Sequence, residues 1–406
     1  MILRALALAV AFLLSACASL PPGAASRPPV ILISIDGFRA DYLDRGVTPV
    51  IAGLAAGGAR AEGMRPSHPS LTFPNHYTLV TGLRPDRHGI VDNTMTDPAR
   101  PGVTFSLGNA AQVTDRFWWD DATPIGVTAE RAGIATATMF WPGSEAAIQG
   151  VRPRYWTRYD QTMPAPARVD QLLVWLDAPG GSRPGFLTLY FDKVDTVGHN
   201  AGPDSPELLE ALAATDQAIG RLVDGLRALG IAANLILVAD HGMVPTSAER
   251  LVLLDDLLPA DTYRTVTGGP TAGIVPAPGQ ERRVTQALLR PHPHMACYPR
   301  AELPARLAYG AHRRVPPILC LAETGWLIGT RGRYARQPPG KGAHGYDPAD
   351  LRMAALFVAN GPAFRPGVVL PVFDNVSVYP LLAGLLGISP EPHQGRSADL
   401  RPALRR

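Results

Sequence analysis

The sequence predicts a doubly wound α/β fold: a mostly parallel central sheet with helices on both faces and a small β-rich insert. Three observations carry this. Short apolar runs recur without polar alternation, which suits strands covered on both faces. Helical patterns with recognisable ends lie between them. Each apolar run also ends on polar residues, as expected where ligands collect at the carboxyl ends of parallel strands.

Taken in order, V-I-L-I-S-I (30–35) runs into Asp36, and I-A-T-A-T-M-F (134–140) into Trp141-Pro142-Gly143. F-L-T-L-Y-F (186–191) leads to Asp192 and Asp195, and N-L-I-L-V-A (234–239) to Asp240-His241-Gly242. A-A-L-F-V-A (354–359) is expected to be a further strand, ending at Asn360-Gly361-Pro362. One helix is expected over Pro49–Ala59. Another runs from a Ser205 cap ahead of Pro206 and Glu207 to about Leu229, where Gly230 stops it. Between about 245 and 340 the segments shorten and become β-prone, as in T-Y-R-T-V-T (262–267) and W-L-I-G-T (326–330). We read this as an insert within a single domain spanning 30–406.

Composition narrows the function classes. Of 406 residues 18% are charged and 46% hydrophobic, which excludes disorder, coiled coil and collagen-like repeats. A net charge of +3 over this length is no footprint for nucleic acid. The 41 Pro and 40 Gly are scattered without period and read as structured turns.

The amino terminus reads as an export signal over residues 1–17. Arg4 precedes the apolar run Ala5–Leu14, which is too short to span a bilayer comfortably. L-S-A-C (14–17) then resembles the bacterial lipoprotein box, which implies a lipid on Cys17, membrane anchorage and a periplasmic location. A plain secretory signal cleaved near A-C-A-S is the alternative. Residues 18–29 form a Pro-rich tether. With Cys17 lipidated, Cys297 and Cys320 remain, either as a disulfide in an oxidising compartment or as two buried thiols.

The polar residues at the strand ends suggest metal chemistry. Asp36, the D-x-x-x-H pair Asp195 and His199, adjacent Asp240 and His241, and His344 are three Asp and three His. That donor set fits zinc, and six ligands suit two ions better than one tetrahedral ion. Each motif alone has a blander reading, as a turn, cap or core residue.

The full set resembles a known family. V-I-L-I-S-I-D-G-F-R, S-L-T-F-P-N-H-Y-T-L-V-T-G, H-G-I-V-D-N, F-W-P-G-S-E, D-x-x-G-H-x-x-G-P (195–203), A-D-H-G-M and G-x-H-G-Y-D are similar to the nucleotide pyrophosphatase/phosphodiesterase family of the alkaline phosphatase superfamily. The resemblance runs from about residue 30 to about 360.

It implies an alkaline-phosphatase-like fold, two Zn²⁺ per chain and a small phosphodiester or nucleotide substrate. Asp195, His199 and His344 would hold one zinc; Asp36, Asp240 and His241 would hold the other, with Thr72 as a nucleophile bound to it. Asn93 would hold non-bridging oxygens, and Phe73, Tyr159 and Tyr190 would surround a nucleobase. The residue after Asp347 departs from the usual pattern, being Pro348. Without the resemblance, Thr72 reads as a helix cap and Asn93 as a turn residue.

Other readings remain open: a phosphomonoesterase, a sulfatase, a lysophospholipid or choline-phosphodiester enzyme, or an exported solute-binding lipoprotein. A sulfatase needs a C/S-x-P-x-R context that residues 68–76 lack. A solute receptor leaves the Asp/His set unexplained. The only lysines, Lys193 and Lys341, lie two residues before Asp195 and three before His344, either reaching an anionic substrate group or simply solvated.

Overall fold

The computed structural model describes residues 27–405. The export signal and Cys17 lie outside the described residues.

Eight strands form the central sheet: β1 (Val30–Ile35), β2 (Ala59–Ala61), β3 (Thr136–Met139), β4 (Tyr155–Trp156), β5 (Phe186–Phe191), β6 (Asn234–Val238), β7 (Phe357–Asn360) and β8 (Val368–Leu370), in the order β8-β2-β7-β6-β1-β5-β3-β4. β6, β1, β5, β3 and β4 are mutually parallel. Every residue of β1, β5 and β6 is buried, as their continuous apolar sequence requires.

β7 departs from the expectation. It pairs antiparallel with β6 and β2, so Asn360-Gly361-Pro362 emerges at the opposite end of the sheet from Asp36 and Asp240. There the Asn360 amide donates to the Leu54 carbonyl at 2.9 Å.

The helices include α1 (Pro49–Ala56), α2 (Thr72–Thr81), α3 (Ile125–Arg131), α4 (Ala165–Leu176), α5 (Lys193–Ala201), α6 (Pro206–Ala228) and α7 (Val378–Leu386). α1, α4 and α5 pack on α6, while α2, α3 and α7 pack together, giving two layers for a sheet buried on both faces. Ser205 caps α6 by accepting from the Leu208 N–H at 3.2 Å. α1 ends earlier than expected, at Ala56. Its first N–H groups are met by buried Asp216, which accepts from Val50 at 3.0 Å and Ile51 at 2.8 Å.

Tyr263–Thr267, Thr271–Pro276, Met295–Pro299 and Ile318–Ala322 form a separate antiparallel sheet over its own apolar cluster, which includes Leu254, Val284 and Ile328. Cys297 and Cys320 stand directly opposite in this sheet and are joined by a disulfide. Leu327–Gly329 pairs in parallel with Leu251–Leu253 instead of extending that sheet.

Candidate active site

Three neighbouring parallel strands deliver the carboxylates. Asp36 follows β1, Asp240 follows β6 on one side, and Asp195 lies on the first turn of α5, after β5 on the other. Gly37 makes this convergence possible. Its φ is +69°, and a Cβ there would lie 3.0 Å from the Cα of Asp195. Its N–H donates to Asp240 Oδ1 at 3.2 Å.

The histidines arrive already oriented. Nδ1 of His199 donates to the Gly342 carbonyl (2.8 Å), that of His241 to Gly242 (2.9 Å) and that of His344 to Ser70 (2.9 Å). A carbonyl only accepts, so Nδ1 carries the proton and Nε2 presents its lone pair inward. His241 Nε2 lies 2.9 Å from Asp240 Oδ2 and 3.5 Å from Asp36 Oδ1. Nε2 of His199 and of His344 lie 3.4 and 3.6 Å from Asp195 Oδ1.

Those same three oxygens, Asp36 Oδ1, Asp195 Oδ1 and Asp240 Oδ2, are buried with no hydrogen-bond donor. Acceptors facing acceptors at these distances repel unless a cation, whether proton or metal ion, lies between them. Two groups have ligand atoms within 4.8 Å of one another and could each hold a metal ion: Asp36, Asp240 and His241, and Asp195, His241 and His344. His241 belongs to both groups, and His199 flanks the second at the rim, its side chain 38% exposed.

The titration pattern agrees. Burial, then the charges of Asp240 and Asp195, push Asp36 well above the usual carboxylate range. Burial likewise raises Asp195. For Asp240 burial is outweighed by the charges of His241 and His76, which hold it low, and Asp240 in turn outweighs burial to raise His241. Burial, His241 and His199 hold His344 well below the imidazole range. The cluster is short of positive charge.

Thr72 is the first residue of α2, not its cap. Leu71 takes the cap position without a side-chain bond, and Thr72 Oγ1 lies 3.4 Å from His241 Nε2. Asn93 Oδ1 accepts the Phe73 N–H at 2.9 Å, which leaves its NH₂ as the remaining donor of that side chain. The Phe73 ring leans on Phe105 and Trp119, each at 5.9 Å. Tyr159 is 41% exposed and meets Phe140 edge-on at 5.0 Å. Tyr190 differs from Tyr159. It is buried, and its hydroxyl donates to Asp36 Oδ2 at 2.6 Å, so it orients a carboxylate and has little face left for a base. Asp347 accepts from the Ala349 N–H at 2.9 Å, which closes the turn over Pro348.

Two residues escaped the sequence reading. His76 is fully buried; its Nδ1 donates to the Thr72 carbonyl and its Nε2 accepts from Ser34 Oγ, both at 2.8 Å. The i+4 spacing from Thr72 on a helix was the available signal. Glu145 accepts the Tyr159 N–H at 2.9 Å and so fixes the loop presenting that ring.

Fold and site together define an α/β protein with a buried carboxylate–imidazole cluster that could hold metal ions, beside a helix-borne threonine. The sequence model of the type I phosphodiesterase / nucleotide pyrophosphatase family matches residues 30–347. The chain belongs to that family, within the alkaline phosphatase superfamily.

Among curated relatives, mouse ectonucleotide pyrophosphatase/phosphodiesterase family member 1 is 37% identical over 398 residues, 95% of this chain and 44% of that protein. Venom phosphodiesterase of Macrovipera lebetinus is 36% identical over 405 residues, 96% of this chain and 47% of that protein. The chain therefore spans less than half the length of these relatives. Human ectonucleotide pyrophosphatase / phosphodiesterase 5 superposes with a TM-score of 0.89 at 34% identity, covering 93% of this chain and 100% of that one. The murine counterpart, solved as an inactive variant in complex with AMP, gives the same figures.

Proposed function

We propose that the chain is a zinc-dependent phosphodiesterase and pyrophosphatase that cleaves nucleotides to release a nucleoside monophosphate. One observation carries the reading: three donorless carboxylate oxygens face three inward Nε2 lone pairs beside Thr72. Mixed imidazole and carboxylate donors fit Zn²⁺. Asp195, His199 and His344 would hold one ion; Asp36, Asp240, His241 and Thr72 would hold the second. Bound there, two zinc ions supply Lewis acidity and lower the pKa of the attacking hydroxyl.

The chain's own residues then account for each displacement. Thr72 Oγ1 attacks phosphorus, forming a phosphothreonine ester as the bond to the leaving oxygen breaks. Water arriving from the vacated side breaks the Thr72 ester, so two inversions give net retention. The Asn93 NH₂ and the Thr72 N–H at the amino terminus of α2 offer donors to the non-bridging oxygens. His76 holds the Thr72 carbonyl and so fixes the attacking residue. Phe73 and Tyr159 offer ring faces for a base, and the AMP complex of the murine neighbour supports a nucleotide. We also place the protein outside the cytoplasm, anchored by lipid on Cys17, with residues 245–340 as an insert of a single 30–406 domain.

A panel of zinc-loaded protein against a nucleoside triphosphate, a dinucleotide, glycerophosphocholine and p-nitrophenyl phosphate tests this. Release of nucleoside monophosphate should exceed phosphate release from the monoester by at least about tenfold. Preference for the monoester overturns the reading, and preference for glycerophosphocholine moves the substrate to a choline phosphodiester.

A further inference from the structure

The two lysines of this chain occupy different places. Lys193 opens α5 two residues before Asp195, and two residues turn a helix by about 200°, so it projects away from the face that carries Asp195 and His199. It lines a separate pocket of about 170 Å³ together with Arg168, Asp192 and Thr215. Lys341 lies against the site. Its N–H donates to the His199 carbonyl at 2.8 Å, and its own carbonyl accepts from Thr246 at 2.9 Å.

The segment around Lys341 is built for that contact. A Cβ on Gly340 would come within 2.5 Å of the His199 carbonyl oxygen, and one on Gly342 within 2.3 Å of that of Gly198. Only glycine allows two backbones to approach so closely. Lys341 is thus the one side chain between two glycines, on the strip whose Gly342 orients His199 and which continues to His344. It is exposed and enters no ion pair among the described residues, while Asp204, just past the end of α5, is taken by Arg45 at 2.8 Å.

The histidines give the site a direction. Thr72 Oγ1 sits by His241; the His241 and His344 rings stack at 3.5 Å; His199 follows at 4.9 Å from His344, and the Lys341 backbone is joined to His199 through the His199 carbonyl. In-line attack from Thr72 sends the leaving oxygen to the His344–His199 end. A leaving group that is itself a phosphate or diphosphate would then carry its charge outward towards Lys341.

We infer that Lys341 is a specificity-determining residue that binds the anionic leaving group of phosphoanhydride substrates, favouring nucleoside triphosphates over diesters with an uncharged leaving arm. This rests on the site reading above. A compact ammonium on a flexible stem suits a phosphate held at the solvent boundary.

The test compares kcat/KM for ATP with that for the p-nitrophenyl ester of thymidine 5′-monophosphate, both on zinc-loaded protein, in the parent and in Lys341→Met and Lys341→Arg. The ATP-to-ester ratio should fall at least about fivefold in Lys341→Met, recover in Lys341→Arg, and lose much of its decrease with added salt. An unchanged ratio overturns the inference, whether both rates hold or both fall together, since a purely structural strip would weaken both alike. If the parent turns over neither substrate, the site reading fails first.

Discussion

His241 Nε2 stands 2.9 Å from Asp240 Oδ2 while its Nδ1 is committed to the Gly242 carbonyl. Those two atoms sit this close only with a cation between them, a proton on Nε2 in the metal-free protein or a metal ion. Chelation is expected to abolish turnover and lower Tm, with Zn²⁺ restoring both. Metal at a thousand times its Kd stabilises by about 4 kcal/mol. Asp36→Asn removes a negative charge that burial, Asp240 and Asp195 all disfavour, so the gain in Tm on adding zinc should shrink while the metal-free Tm rises. Full activity in metal-free protein contradicts the proposed chemistry.

Thr72 is expected to be needed for turnover and not for folding. Leu71 already holds the cap position, so Thr72→Ala should cost under about 1 kcal/mol in stability. It should retain zinc while kcat falls at least about 10³-fold. Thr72→Ser, which keeps the hydroxyl, should stay within about tenfold of the parent. A zinc-loaded Thr72→Ala with near-parent kcat would make a water the nucleophile.

Tyr190→Phe should act through Asp36. Losing a hydrogen bond to a carboxylate costs about 1.5–3 kcal/mol, so kcat/KM should fall about tenfold or more. The zinc concentration needed for half-maximal activity should rise in parallel. If KM for the nucleotide rises instead, with kcat and zinc dependence unchanged, Tyr190 serves the base after all.

Asp92, next to Asn93, is buried and accepts from the Thr94 N–H at 2.9 Å; burial pushes its pKa up to about 7. The folded chain therefore binds this proton more tightly than the unfolded chain does, and stability contributed here is lost as pH rises from about 4 to about 7. Asp92→Asn keeps the acceptor oxygen without the charge. It should flatten that decline, with a gain over the parent of roughly 1–4 kcal/mol at pH 8 and little difference at pH 4. Parallel unfolding curves across pH would show that Asp92 does not titrate in this window.

Cys17→Ser should release the protein into the soluble fraction, because one residue carries the proposed lipid. A variant that still sediments with membranes points to another anchor, and a parent that is already soluble leaves the plain secretory alternative to explain its location.

The central strands were legible in the sequence because a strand covered on both faces has to be apolar throughout, and β1, β5 and β6 are. The convergence of Asp36, Asp195 and Asp240 was legible too, since each follows such a run and parallel strands bring their carboxyl ends together. Strand direction was not. The run before Asn360 has the same composition as its neighbours, and only its antiparallel pairing with β6 carries Asn360-Gly361-Pro362 to the far end. Nor could sequence place the Tyr190 hydroxyl on Asp36, or separate Lys341 from Lys193. Those outcomes depend on partners more than a hundred residues away, such as Gly342 for His199 and Ser70 for His344. An apolar run states that a strand is buried, but hydrogen bonds between distant segments decide which way it runs and where its polar neighbours point.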